Sequence, residues 1–195
     1  MGLIRALCDQ VSEFAILQID AHADLRKAYE GFEFSHASIM YNALRNKGVS
    51  QLVQVGVRDY CDEEAELIQE DSRITCYTYQ GIKEGQYEGS TWIQQVNKII
   101  DALPDAVYVS YDIDGLDPSL CPGTGTPVPG GFSFEEVDYL LKQLALSGRK
   151  IIGFDLCEVS PGDGSGEWDG NVGARVLYRL CNLTAASQKK ILFND

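Results

Sequence analysis

Three side chains able to ligate a metal ion, Asp20, His22 and Asp24, stand at alternate positions in Ile19-Asp20-Ala21-His22-Ala23-Asp24. They follow the apolar run Phe14-Ala15-Ile16-Leu17, which reads as a buried strand. A second acidic set, Asp112, Asp114 and Asp117, lies in Ser110-Tyr111-Asp112-Ile113-Asp114-Gly115-Leu116-Asp117-Pro118, after the apolar run Ala106-Val107-Tyr108-Val109. Each motif alone is short and has a bland alternative, a hydrogen-bonded turn or a loop of Asx-turns. Their joint occurrence at two strand ends points to chemistry. Crowded carboxylates repel one another, and a cation relieves the repulsion. Oxygen donors with one imidazole suit Mn²⁺, Fe²⁺ or Zn²⁺ better than Ca²⁺. Two such ions can bind and deprotonate a water between them. A strand continuing through residue 24 would put all three ligands of the first set on one side, because side chains alternate.

Two further residues fit this chemistry. His36, in Phe34-Ser35-His36-Ala37-Ser38, is the second of two histidines. A loop leaving the first strand can return it to the rim of the site, to shuttle protons between bulk water and the nucleophile; the alternative is a structural histidine. Glu158, in Asp155-Leu156-Cys157-Glu158-Val159-Ser160-Pro161, follows a third apolar run. There a carboxylate can hold a cationic substrate group by a charge-assisted hydrogen bond; the alternative is a surface carboxylate. The Gly/Pro-rich loop 122–131 would line the mouth of such a site or serve as a rigid connector.

The elements that must carry these residues alternate. Apolar strands are expected at 14–19, 52–57, 74–79, 106–111 and 151–156. Helices are expected at 3–10, 37–47, 62–70, 90–102, 133–147 and 172–186, with loops at 25–36 and 159–171. Ser133 and Glu136 have the spacing of a capping box, and Glu63, Glu64 and Glu66 suit the positive end of the helix at 62–70. Nearly continuous apolar strands alternating with helices indicate a parallel sheet covered on both faces, hence a single α/β domain over 1–195. Ligands in such sheets bind beyond the carboxyl ends of strands, where Asp20, Asp112 and Glu158 all fall.

Composition excludes several functions. The chain has 195 residues, 45% of them hydrophobic and 23% charged, with a net charge of −13. That field repels nucleic acid and anionic membranes and favours cationic ligands. It argues against a phosphatase or nuclease built on the same aspartates. No apolar stretch approaches the roughly 20 residues of a membrane helix. Six scattered cysteines, without a C-x-x-C pair, read as reduced thiols, and a cytoplasmic setting is expected.

Taken together, Asp20-Ala21-His22-Ala23-Asp24, Ser110 to Pro118, Pro122-Gly123-Thr124-Gly125-Thr126-Pro127 and Glu158-Val159-Ser160-Pro161 resemble the ureohydrolases, the family of arginase and agmatinase. The order and spacing agree over nearly the whole chain. The resemblance implies a three-layer αβα arginase-like fold and a binuclear Mn²⁺ site. Asp20, His22, Asp24, Asp112 and Asp114 match the metal ligands, with Asp20 and Asp112 bridging. His36 matches the proton-shuttling histidine, Glu158 the carboxylate that receives the guanidinium, and Thr126 the hydroxyl beside it. The implied reaction is hydrolysis of a guanidinium group to urea and an amine, with agmatine giving putrescine. Arg26 stands where arginases carry Asn, which favours the agmatinase-type branch over arginase, guanidinobutyrase and formimidoylglutamase. A deacetylase of the related fold, with one Zn²⁺, fits less well because of the Asp112-x-Asp114 pair and the Gly-Thr-Gly-Thr loop.

One family segment is missing. Gly-Gly-Asp-His or Gly-Gly-Glu-His, whose His is the sixth ligand, does not occur in this sequence. The expectation is therefore a chain lacking the N-terminal third, with five of the usual eight strands. Their spatial order would be 151–156, 106–111, 14–19, 52–57, 74–79, leaving strand 151–156 at an edge open to another chain. The second metal position would be impaired and turnover reduced, to the limit of an inactive metal-binding fragment. The expected partners are a small cationic guanidino substrate and further copies of the chain, in a homo-oligomer.

Overall fold

The computed structural model describes residues 1–160 and 167–191. Five parallel strands form one sheet: β1 (Phe14–Ile19), β2 (Val49–Val55), β3 (Ile74–Tyr77), β4 (Ala106–Asp112) and β5 (Lys150–Cys157). Their order is β3-β2-β1-β4-β5, as expected, with β5 at an edge. β1 is central because all six of its residues can be buried, and all six are. Leu17 is fully enclosed, so its truncation to Ala would cost about 3 kcal/mol.

Helices cover both faces. One apolar cluster joins Leu17, Ile19, Val53 and Val109 to α4 (Tyr79–Tyr87), α5 (Trp92–Asp101), α6 (Phe134–Leu146) and α7 (Trp168–Ser187) through Ile82, Val96, Leu140 and Leu180. The opposite cluster joins Phe14, Ile16, Leu52 and Tyr108 to α1 (Gly2–Cys8) and α2 (Ile39–Leu44), with Leu67 and Ile68 of α3 (Asp62–Glu70) at its margin. The result is the three-layer αβα arrangement.

Four expectations need correction. Strand β1 stops at Ile19, so Asp20, His22 and Asp24 are not held by a continuous strand. Beyond it a single bridge, His22 to Asp59, prolongs the pairing, and Asp24 adopts a left-handed conformation with φ 56°. Strand β2 lies three residues earlier than expected at its start and ends before Gly56, whose φ of +100° turns the chain. A Cβ there would sit 2.8 Å from the Phe132 ring. Helix α4 occupies residues read partly as strand. Gly81 and Gly85 weaken its helical signal, while Thr78 caps it by accepting from the Gly81 N–H at 3.1 Å. Helix α7 begins at Trp168, within the expected loop 159–171, whose stretch 161–166 lies outside the described residues. The Ser133–Glu136 capping box forms, with reciprocal bonds of 2.9 and 3.2 Å.

Candidate metal centre and active site

The site is built where β1 and β4, neighbours in the sheet, release their carboxyl ends. Asp20 follows β1, and Asp112 ends β4. Gly115 lets the two turns close, since a Cβ there would lie 3.0 Å from the Asp20 nitrogen. The turns are then stitched together: the Ala21 N–H donates to Asp114 Oδ1 at 3.0 Å. Each also folds on itself. The His22 N–H donates to Asp20 Oδ1 at 2.7 Å, and the Asp114 N–H donates to Asp112 Oδ1 at 3.0 Å.

Asp20, His22 and Asp114 bring one ligand atom apiece within 4.8 Å of one another. His22 Nδ1 is 3.0 Å from Asp114 Oδ2 and 3.5 Å from Asp20 Oδ1. Asp24 and Asp112 line the same cavity of about 660 Å³. His36, Thr126 and Glu158 line it too. Asp117, the third acid of the second set, does not join them: it lines a different cavity. A second cavity, about 720 Å³, lies between loop 117–120, the start of α6 and α7. It holds none of the groups that share the first cavity.

His36 reaches the rim because α2 is anchored beneath it. The Asp24 carbonyl accepts the Met40 and Tyr41 N–H groups at 3.0 and 3.2 Å, and the Arg26 N–H donates to Ala37 O at 3.1 Å. The ring of His36 stacks edge-on with Tyr29, centroids 5.5 Å apart. Glu158 leaves β5 with φ 60°, a conformation costing a non-glycine residue about 1 kcal/mol. Its carbonyl accepts from Thr124 Oγ1 at 3.0 Å, which ties loop 122–131 to the end of β5. The loop so held presents Gly125, Thr126, Pro127 and Val128 to the cavity.

Electrostatics fit a cation. Burial pushes the Asp112 carboxyl up to about 10, with the charges of Asp20 and Asp114 adding to the effect. Burial likewise raises Asp24 to about 9, helped by the charge of Asp20. Asp20 reaches about 6, again chiefly through burial. Hydrogen bonds to Asp114 and then Asp20 raise His22 to about 10. Burial opposes ionisation of Asp114, yet the bonds from His22 and the Ala21 N–H outweigh it and hold this carboxyl below its usual range. Such carboxylates cannot all ionise together unless a cation sits among them, and their donor set, oxygens with one imidazole, is that of Mn²⁺, Fe²⁺ or Zn²⁺.

A sequence model of the arginase family matches residues 1–182. The chain belongs to the arginase family. Among curated relatives, an N(1)-aminopropylagmatine ureohydrolase of Thermus thermophilus is 36% identical over 159 residues, covering 82% of this chain and 50% of the relative. An agmatinase of Halalkalibacterium halodurans is 34% identical over 163 residues, covering 82% and 51%. Among solved structures, the proclavaminate amidino hydrolase of Streptomyces clavuligerus superposes with a TM-score of 0.80 at 28% identity, covering 95% of this chain and 60% of that one. This family member thus spans about half the length of these curated relatives.

Several residues of this arginase-family site escaped the sequence reading. By sequence Glu64 suits the positive end of α3, but it is buried and lines the cavity. It accepts from the Leu25 and Cys61 N–H groups, each at 2.9 Å, and lies 3.7 Å from Arg26 Nε. Arg26 also stacks over Tyr29 at 5.3 Å, so it is a paired residue. Arg58 donates to the carbonyls of Gly56, Asp114, Leu116 and Val128 at 2.8–3.3 Å, binding β2, a ligand turn and the Gly/Pro loop together. Asp59 and Tyr60 complete the wall. No helix of the described residues is long and apolar enough to cross a membrane, and all six cysteines are free.

Proposed function

We propose that the chain hydrolyses a guanidinium group to urea and an amine, with agmatine as substrate and putrescine as the second product. The observation that carries the reading is the convergence of Asp20, His22, Asp24, Asp112 and Asp114 with His36, Thr126 and Glu158 in one cavity. Asp20, His22, Asp112 and Asp114 would hold one Mn²⁺. Asp20, Asp24 and Asp112 would hold another through their carboxylates. When bound, these ions supply the acidity that turns water into a nucleophile at neutral pH.

The chain's own groups do the rest. Glu158 receives the planar guanidinium through charge-assisted hydrogen bonds, which orients its carbon towards the metal ligands. The Thr126 hydroxyl steadies the same group. His36 delivers a proton to the departing amine, which cannot leave as an anion, and then recovers one from solvent. Its exposed position at the rim suits that exchange.

Arg26 favours agmatine over arginine. Its guanidinium lies against Glu64 and Tyr29, so it is engaged and not held ready for an α-carboxylate. A second reading, N(1)-aminopropylagmatine, is favoured by the Thermus relative and by Asp59. That carboxylate lines the cavity with its side chain 67% exposed and one oxygen 3.9 Å from His22 Nε2, where it can also meet a distal ammonium. Urea release from agmatine, N(1)-aminopropylagmatine, arginine and guanidinobutyrate, each with Mn²⁺, tests the proposal. Agmatine is expected to lead. No urea from any of them, with Mn²⁺ bound, would make the chain a metal-binding fragment.

A further inference from the structure

β1 ends at Ile19, and the turn after it must still deliver three side chains to one point. Beneath that turn lies a chain of buried amides. Gln54, fully enclosed in β2, donates from Nε2 to the Ala23 carbonyl at 2.7 Å and to Gln18 Oε1 at 2.6 Å. Gln18, buried in β1, donates from Nε2 to Asp20 Oδ2 at 2.8 Å and to the His22 carbonyl at 3.3 Å. The two side chains meet because Gln18 and Gln54 are partners in the β1–β2 register.

The direction of this chain is forced. A carbonyl such as Ala23 O accepts only, so the Gln54 amide must turn its nitrogen towards it. Its second hydrogen then fixes Gln18 oxygen-inward and nitrogen-outward, facing Asp20. Flipping either amide would set oxygen against oxygen. The cost is visible: Gln54 Oε1 is buried without a partner among the described residues. Such a group costs about 1–3 kcal/mol, which an apolar pair at these positions would avoid. Two buried amides with that penalty are therefore unlike a packing solution.

We propose that Gln18 and Gln54 form a neutral brace that aims the Asp20 carboxylate, and the backbone of His22 and Ala23, at the metal position. Gln18 is a positioning residue acting on Asp20, and Gln54 acts through Gln18. Neutrality matters: an amide donor fixes the carboxylate without competing as a cation, as Lys or Arg would, for the charge the metal needs. With Oδ2 engaged by Gln18 and Oδ1 by the His22 N–H, the rotation of the carboxylate is set before any ion arrives. This rests on the metal reading above.

The test uses the 195-residue chain and Mn²⁺ alone, followed by calorimetric titration and by the electron paramagnetic resonance signal of the bound ion. Gln18→Met is expected to weaken Mn²⁺ binding about 10- to 100-fold, the range for loss of a group that orients a ligand. Gln54→Met is expected to weaken it about 10-fold, and the double variant by less than the product of the two, since one acts partly through the other. A purely structural role would lower the metal-free melting temperature and leave affinity and the resonance signal unchanged. That result in folded Gln18→Met, or fully multiplicative effects, would overturn the brace. Failure of the unaltered chain to bind Mn²⁺ would instead overturn the metal reading. If Gln18→Met does not fold, Gln18→Asn, which keeps the amide but shortens its reach, is titrated with the same expected direction.

Discussion

The two halves of the cavity are built in opposite ways. On the ligand side, Asp20 and Asp114 are buried, and hydrogen bonds lock the turns that carry them to each other. On the substrate side, Glu158, Thr126 and His36 are exposed, and what is fastened is the backbone of Glu158, by the Thr124 hydroxyl. The first arrangement concentrates negative charge and restricts motion, which suits a small ion with strict geometry. The second leaves side chains free to meet an organic cation that arrives and departs. A site divided this way should separate metal affinity from substrate affinity in its variants.

The largest effect should come from breaking the ligand side. Asp20→Asn is expected to lower kcat by about 10⁴-fold, in the range for loss of a central catalytic group. Asp112→Asn should do the same while raising the melting temperature of the metal-free chain, because a buried, repelled carboxyl is replaced by a neutral amide; urea release with Mn²⁺ checks the first half and differential scanning calorimetry without it the second. A fall in metal-free stability would mean the acidic cluster is not strained in the absence of the ion. Next is His36→Asn, expected to reduce kcat about 10²-fold with Mn²⁺ affinity intact. Because the position is exposed, added imidazole should restore part of the rate. Glu158→Gln should raise KM for the guanidino substrate about 30-fold, the loss of a charged hydrogen bond of about 2 kcal/mol, again with metal binding intact. Loss of Mn²⁺ binding in either substrate-side variant would erase the division. The smallest effect is Arg26→Gln, where a long contact of 3.7 Å from a partly exposed guanidinium is lost while Glu64 keeps its bonds from the Leu25 and Cys61 N–H groups. Agmatine KM should change by less than about threefold; a large fall in arginine turnover would show that Arg26 reads a carboxylate after all.

Much of this was legible in the chain before its fold. The five strands stood out because parallel strands covered on both sides are nearly all apolar, and the ligands stood out because acids directly after such runs are otherwise unfavourable. Helix α4 was not legible, since its two glycines depress helical propensity and its support comes from Gln95, whose Nε2 donates to Ile82 O at 2.7 Å from the next helix. Nor was the route of residues 20–24. Alternation along a strand predicted one face, whereas the chain leaves the sheet at Asp20 and brings Asp24 back through a left-handed residue.

The sequence by itself determined which chemical groups are present and that they follow strands, because residue type and apolar periodicity are local properties. Only the tertiary structure decided that Ala21 meets Asp114, that Glu64 turns inward and that Arg58 gathers three segments. These are contacts between residues far apart in the chain. They depend on sheet register and on the path of each loop, to which no single stretch of residues is sufficient.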